Sequence, residues 1–154
     1  MKRSIVRRSG PVLLVALVAT ACVSRTLGTN GSQGPPPDTS VAPALALEQF
    51  LRAANASDLD SMARLFGTKD GPWAQHVTDT EADRRMLTFA SVLRHDDYLI
   101  LGDAMVPGRR GEATQLNVRL TRDGRSVDVP FVLTWAGGLG WMIEQFDIEK
   151  LTGR

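Results

Sequence analysis

The chain is poor in the residues that most often build metal and disulfide sites. Its 154 residues include one Cys and two His. A single Cys can form no internal disulfide, and it excludes Cys₂ and Cys₄ zinc sites. With two His against 17 Asp and Glu, only a carboxylate-rich metal site is conceivable. The sequence therefore predicts no bound metal and no disulfide framework.

An excess of charge and the familiar catalytic motifs are also missing. Lys and Arg number 18 against 17 acids, and this balance predicts no affinity for nucleic acid. Hydrophobic residues make up 43% and charged residues 23%, which excludes a disordered chain, a collagen-like fibre and a polytopic membrane protein. No GxSxG, Walker or HExxH motif occurs, and no Ser-His-Asp triad stands in a motif context. We expect no cofactor.

Residues 1–21 differ from the remainder. They contain no acid and four bases, which are Lys2, Arg3, Arg7 and Arg8. An uncharged run of ten follows over 12–21. As a helix it would be about 15 Å long, half of a hydrocarbon core, so it is too short to cross a membrane comfortably. A basic start, a short apolar run and small residues before a cleavage point are typical of a secretory signal peptide.

The sequence Ala19-Thr20-Ala21-Cys22 resembles the lipobox of bacterial lipoproteins. This resemblance implies that residues 1–21 are removed and that a lipid is attached to Cys22, the only cysteine. It also implies a lipid-anchored protein of the cell envelope, with the membrane as its first partner. The alternatives are an ordinary signal peptide cut after Ala21, which leaves Cys22 free, and a cytosolic protein with an apolar N-terminus.

Cleavage would change the charge of the protein. Four of the 18 bases lie in 1–21, which leaves 14 bases against 17 acids and a net charge of about −3. Val23 follows Cys22, and the Asp that is associated with inner-membrane retention in enteric bacteria is absent there. The resemblance therefore implies an outer-membrane anchor with a periplasmic domain, if the host has two membranes.

A tether is predicted over 22–42. It contains three glycines and the run Pro35-Pro36-Pro37, with few large apolar residues. Such a segment cannot bury enough surface to offset the entropy lost on ordering. The prolines favour a short, stiff polyproline II stretch inside a flexible linker. This division leaves 43–154 as the folded domain.

Apolar residues at helical spacing predict three helices in the first half of this domain. The first runs from near Pro43 to Asn55. The second follows Ser57, which we expect to cap it, and ends at Gly67. The third begins at a Thr cap at 78 or 80 and ends near His95, with 68–79 as a loop before it. Its predicted buried face consists of Ala82, Met86, Phe89, Ala90 and Leu93.

The second half alternates with a period of two and predicts four strands. These cover 98–106, 113–122, 127–135 and 141–148, followed by a frayed end. The alternation places Leu116, Val118 and Leu120 on one face of the second strand. It predicts a buried face of the third strand that consists of Val127, Val129, Phe131, Leu133 and Trp135. Gly102 indicates a bulge, and Pro130 indicates a bulge or an unpaired position. Asp123-Gly124 predicts a type I′ hairpin turn. Helices followed by an antiparallel meander define the α+β class, with the helices packed against a curved sheet.

The helix pair at 50–66 resembles the opening of nuclear transport factor 2-like domains, and 140–146 resembles one of their last strands. The resemblance covers about 45–148. It implies a cone in which a bent sheet wraps a helix and a pocket opens at the wide end. The family includes isomerases, dehydratases, association domains and bacterial lipoproteins, so the resemblance supports the fold better than a function.

The doublets Arg84-Arg85 and Arg109-Arg110 are expected to be solvated surface. Three other polar residues are catalytic candidates. His95 and Tyr98 flank two aspartates, and a His beside carboxylates can serve as a general base. Asp103 could face the cone, as the acids of catalytic family members do. The alternative for His95 is a cap on the C-terminus of the third helix. Ligand-lining candidates are Trp73, Tyr98, Asp103, Trp135 and Trp141, although the tryptophans could equally belong to the core.

Two classes of function follow. The first is a domain that binds a small apolar ligand or an envelope protein without catalysis. The second is a small isomerase or dehydratase that uses one acid in the cone. The first is favoured because no paired acid and base can be assigned. A second copy of the chain, joined through the sheet, is a further candidate partner.

Overall fold

The computed structural model describes residues 41–153 and has the α+β class that the sequence predicts. The predicted signal peptide, Cys22 and most of the tether lie outside the described residues. The helices are α1 (Val41–Ala56), α2 (Leu59–Leu65), α3 (Asp79–Leu93) and α4 (Ile148–Thr152). The strands are β1 (Gly67–Thr68), β2 (Gly71–Pro72), β3 (Asp97–Met105), β4 (Ala113–Arg122), β5 (Arg125–Trp135) and β6 (Trp141–Phe146). Helix α1 therefore begins inside the segment predicted as tether.

The start and end of α2 differ from the prediction. Asp58, not Ser57, caps the helix, and its Oδ1 accepts a hydrogen bond from the backbone N–H of Ser61 at 3.0 Å. Ser57 instead takes a left-handed conformation, with φ of 54°. That conformation turns the chain between α1 and α2. The helix ends at Leu65, so Gly67 is not its terminating residue.

The prediction of a loop over 68–79 is wrong in part. Strands β1 and β2 form a small hairpin, and a 3₁₀ turn follows at Trp73–His76. Gly67 is buried in this hairpin, and a Cβ there would overlap the carbonyl oxygen of Gly71. Phe66 forms a parallel bridge to Ile143 of β6. The hairpin is thus tied to the last strand of the main sheet, a long-range contact that local sequence does not encode.

Helix α3 follows its predicted pattern closely. Thr78 is the cap, and its Oγ1 accepts a hydrogen bond from the backbone N–H of Glu81 at 3.3 Å. The helix ends at Leu93, two residues before His95. All five residues of its predicted apolar face are buried: Ala82, Met86, Phe89, Ala90 and Leu93.

Strands β3 to β6 form the predicted antiparallel meander in the order β3-β4-β5-β6. The register of β3 against β4 shifts next to Gly102, which confirms the bulge. Asp123 and Gly124 both have positive φ, 51° and 73°, as a type I′ turn requires. Pro130 keeps its place opposite Asn117 of β4 and lies just outside the segment of β5 that pairs with β6.

The C-terminal end is helical where the sequence predicts strand and fraying. Strand β6 stops at Phe146, and Asp147 caps α4 by accepting a hydrogen bond from the backbone N–H of Lys150. Gly153, with φ of 67°, ends the helix in the left-handed conformation. A five-residue helix has too few residues for a clear apolar period, so the pattern did not predict it.

The core lies between the helices and one face of the sheet. Its largest fully buried side chains come from both layers: Leu47, Phe50, Leu51, Met62, Met86, Leu93, Val118, Val129, Phe131, Leu133 and Ile143. The predicted inward face of β4 and the centre of the inward face of β5 are therefore confirmed. Strand β3 is an edge of the four-stranded sheet and is exposed over most of its length.

Candidate functional site

His95 joins the C-terminal ends of α1 and α3. It is only 8% exposed. Its Nδ1 lies 2.8 Å from the carbonyl oxygen of Leu93, and a carbonyl can only accept, so Nδ1 carries the proton. Its Nε2 lies 3.3 Å from the side-chain amide nitrogen of Asn55 and is the acceptor of that contact. Both ring nitrogens are therefore engaged in holding two helix ends together.

Backbone hydrogen bonds complete this junction. The side-chain oxygen of Asn55 accepts from the backbone N–H of His95 at 3.1 Å, and the Asn55 amide donates to the His95 carbonyl at 3.0 Å. One asparagine thus satisfies the peptide groups of His95 that α3 leaves unpaired. The neighbouring Asp96 accepts from the backbone N–H of Asp123 at 2.8 Å and fixes the β4–β5 turn.

Tyr98 and Asp103 do not meet. The register pairs Tyr98 with Leu120 and Asp103 with Leu116, so both lie on the core-facing side of β3. The bulge lies between them, and their partners on β4 are four residues apart, which corresponds to about 13 Å. Tyr98 is half-buried, with its ring 5.6 Å from that of His95, and Asp103 is exposed. Burial and the charge of Glu48 raise the pKa of Tyr98.

The three tryptophans lie in two places. Trp73 contacts the Phe66 ring edge-on at 6.4 Å, and the guanidinium of Arg85 lies 4.0 Å from the centre of its indole. The Trp135 and Trp141 rings are 5.7 Å apart at the start of β6. Trp141 is buried, and its indole N–H has no hydrogen-bond partner among the described residues. Trp73 therefore forms no common wall with the other two.

The interior of the domain is filled by a cluster of aromatic rings. The centre of the Phe50 ring lies 6.4 Å from that of Phe66 and 6.3 Å from that of Phe146. The ring centres of Phe146 and Phe131 are 5.3 Å apart. Phe89 contacts Phe66 at 5.0 Å and Phe146 at 4.8 Å. Four of the surface cavities formed by residues 41–153 are lined by none of the five residues predicted to contact a ligand.

The Arg109-Arg110 doublet, expected to be solvated surface, includes one residue with a defined role. Arg109 donates to both carboxylate oxygens of Glu144, at 3.0 and 2.7 Å, and to the hydroxyl of buried Thr134 at 2.8 Å. The hydrogen bonds to Glu144 raise the pKa of Arg109. The contact ties the β3–β4 turn to β5 and β6. Arg110 is exposed, as predicted.

A groove with a basic rim lies at the hairpin end of β4 and β5. We call it the hairpin-end groove; it has a volume of about 630 Å³ and lies between the end of α3, the β4–β5 hairpin and α4. Its charged lining consists of Arg94, Arg122, Asp123, Arg125 and Lys150. Its apolar lining consists of Val92, Leu120, Val127 and Leu151. The sequence did not reveal this groove because its four bases come from three separate segments of the chain and form no run.

The described residues contain no group of three His, Cys, Asp or Glu side chains that could hold a metal ion. None of the helices within 41–153 has the length and apolar character to cross a bilayer. The chain matches no protein-family model, and it has no significant match among curated proteins or solved structures. Its function must therefore be argued from its own residues.

Proposed function

We propose that this chain is a lipid-anchored lipoprotein of the cell envelope whose domain binds a ligand or partner and does not catalyse a reaction. The anchor is the lipid on Cys22, and the segment between Cys22 and the start of α1 serves as the tether to the domain. The basic start, the ten-residue apolar run and the small residues before the only cysteine support this anchor. In a host with two membranes, the domain faces the periplasm from the outer membrane.

We further propose that the domain has the nuclear transport factor 2-like fold. The element order supports this: a helix pair, a short hairpin, a third helix and a four-stranded meander. The bridge between Phe66 and Ile143 places the small β1–β2 hairpin beside β6. The hairpin thereby extends the strand layer that faces the helices. The aromatic interior would fill the space in which other members of the family hold a pocket.

One observation supports binding over catalysis: the candidate catalytic groups do not converge. Both ring nitrogens of His95 have hydrogen-bond contacts within the α1–α3 junction, so neither points to a substrate. Asp103 is exposed and about 13 Å along the strand from Tyr98. A general acid or base must lie within hydrogen-bond reach of the same substrate as its partner, and this geometry keeps the candidates apart.

The anchor is tested by mass spectrometry of the N-terminal peptide of the protein purified from its host membranes. We expect a chain that begins at a diacylated Cys22. The Cys22→Ser variant should accumulate as an uncleaved precursor or leave the membrane fraction. An intact Met1 or an unmodified Cys22 in the mature protein would contradict the lipoprotein proposal, whatever the domain binds.

A further inference from the structure

The hairpin-end groove has a charge opposite to that of the surrounding domain. Residues 41–153 contain 12 Lys and Arg against 16 Asp and Glu. Four of those 12 bases line the groove, whereas Asp123 is the single acid among the described residues that line it. An acidic domain has thus concentrated a third of its cations in one concavity. Such a concentration attracts anions and raises their local concentration.

Three of these four cations form no ion pair with a described residue. Among the described residues, no carboxylate lies within 4.0 Å of the charged groups of Arg94, Arg125 or Lys150. Arg122 approaches Asp123 at 3.6 Å, and both side chains are largely exposed. On the opposite face of the same strands, by contrast, Arg119 holds Asp128 through two hydrogen bonds of 2.7 and 2.8 Å. The groove therefore offers guanidinium and ammonium donors that are available to a ligand.

The floor beneath these cations is apolar. Val92 comes from the last turn of α3, Leu120 and Val127 are cross-strand partners at the end of the sheet, and Leu151 comes from α4. Leu120 is buried, and the other three are half-buried. Each of the three thus keeps apolar surface that a ligand could remove from water. A simple inorganic anion would bind the cations of the rim but would leave this apolar surface exposed to water.

We propose that the hairpin-end groove binds a single molecule of an anionic amphiphile, with its phosphate on the arginine rim and its first methylenes on the apolar floor. This inference rests on the proposed binding function and names its ligand class. Arginine recognises phosphate through paired hydrogen bonds, and the lysine adds a point charge. The site is concave, so it fits one lipid molecule better than the flat surface of a bilayer.

The test follows the reactivity of Lys150. The full chain, held in dodecyl maltoside micelles, is acetylated with an amine-reactive reagent, and each lysine is quantified by peptide mass spectrometry. Lys69, exposed in the β1–β2 turn, is the internal control. We expect dodecyl phosphate to slow acetylation of Lys150 by about threefold or more, because a bound phosphate occupies the ammonium group. Acetylation of Lys69 should not change.

Two matched probes separate the sources of protection. Dodecylphosphocholine has the same chain without net charge, and inorganic phosphate has the charge without the chain. Neither should protect Lys150 at the same concentration. Two variants then test the rim and the floor separately. The double variant Arg94→Gln, Arg125→Gln removes two charges from the rim, and Leu151→Ser removes part of the apolar floor. Both should abolish the protection, and their melting curves must match that of the parent protein.

Several results would overturn the inference. These are an unchanged Lys150 rate with dodecyl phosphate, equal protection by dodecylphosphocholine, or full protection in the Arg94→Gln, Arg125→Gln variant. Equal protection by inorganic phosphate, or full protection in Leu151→Ser, would reduce the groove to a site for free anions. Equal slowing at Lys69 would show a general effect of the micelle charge. The same digests report the state of Cys22, so a failure here is distinct from a failure of the anchor.

Discussion

The centre of the β4–β5 pair and its hairpin end use the same two strands but differ in what covers them. In the centre, Val118 lies opposite Val129, and both are fully buried. Two positions further towards the turn, Leu120 lies opposite Val127, and Val127 is only half-buried. The helix layer thins out at this end, because α3 stops at Leu93 and α4 has five residues. One alternating pattern thus yields a closed core in one place and a groove in the other.

The largest expected effect tests the closed region. Replacing Phe50 by Ala removes a ring that is 0% exposed and contacts the rings of Phe66 and Phe146. We expect the free energy of unfolding to fall by about 3–5 kcal/mol. The matched control is Leu45→Ala on the same helix, at a residue 50% exposed, which should cost less than about 1 kcal/mol. Thermal unfolding followed by circular dichroism measures both, and equal losses would contradict the packing described here.

Two valine substitutions, with smaller expected effects, compare the two regions directly. Val129→Ala and Val127→Ala delete the same two methyl groups from the same face of the same strand. We expect a loss of about 2 kcal/mol at Val129 and about 1 kcal/mol at Val127, since only the first is fully removed from water. Chemical denaturation gives both values. A larger loss at Val127 would mean that the hairpin end is as closed as the centre.

The smallest expected change in stability comes from the ion pair between Arg119 and Asp128 on the solvent-facing side of these strands. Hydrogen bonds from Arg119 hold the pKa of Asp128 below its ordinary value of 3.8. A pKa that is lower in the folded chain stabilises it above the unfolded pKa, and this contribution disappears as the pH falls through the folded pKa. Arg119→Gln should therefore lower the melting temperature at neutral pH by less than Val127→Ala does.

The difference between Arg119→Gln and the parent should shrink to nothing in strong acid, where Asp128 is protonated in both states. Arg110→Gln is the control, because Arg110 is exposed and has no ion-pair partner among the described residues. Melting curves recorded from neutral pH to pH values below the pKa of Asp128 supply the test. A difference that stays constant across this range would show that the pair does not act through the charge of Asp128.

Local patterns predicted those helices and strands that are long enough for the apolar pattern to recur several times. The apolar spacing of α3 and the alternation of β4 each extend over three or more repeats, so one error in a residue does not alter the assignment. Asp123-Gly124 was predictable because positive φ restricts the turn to few residue types. The short elements β1, β2 and α4 have too few residues for a period, and they depend on contacts with β6, α3 and β5.

The candidate site was less predictable than the fold. His95 was singled out by its neighbours in sequence, yet its role depends on Asn55, forty residues earlier. Asp103 could not be placed because a bulge changes which face a strand residue occupies. The rim of the hairpin-end groove combines Arg94, Arg122, Arg125 and Lys150, which lie on α3, the β4–β5 hairpin and α4. Such combinations arise only when the elements pack.

The amino-acid sequence was sufficient to predict the α+β class, the approximate extent of the long helices and strands, and the apolar faces of α3 and β4. Periodicity is a property of neighbouring residues, so these features need no knowledge of the fold. Only the tertiary structure decided that the aromatic rings close the interior and that four dispersed cations meet over an exposed apolar floor. Packing density and the convergence of charges depend on distances between residues far apart in the chain, and local patterns do not contain those distances.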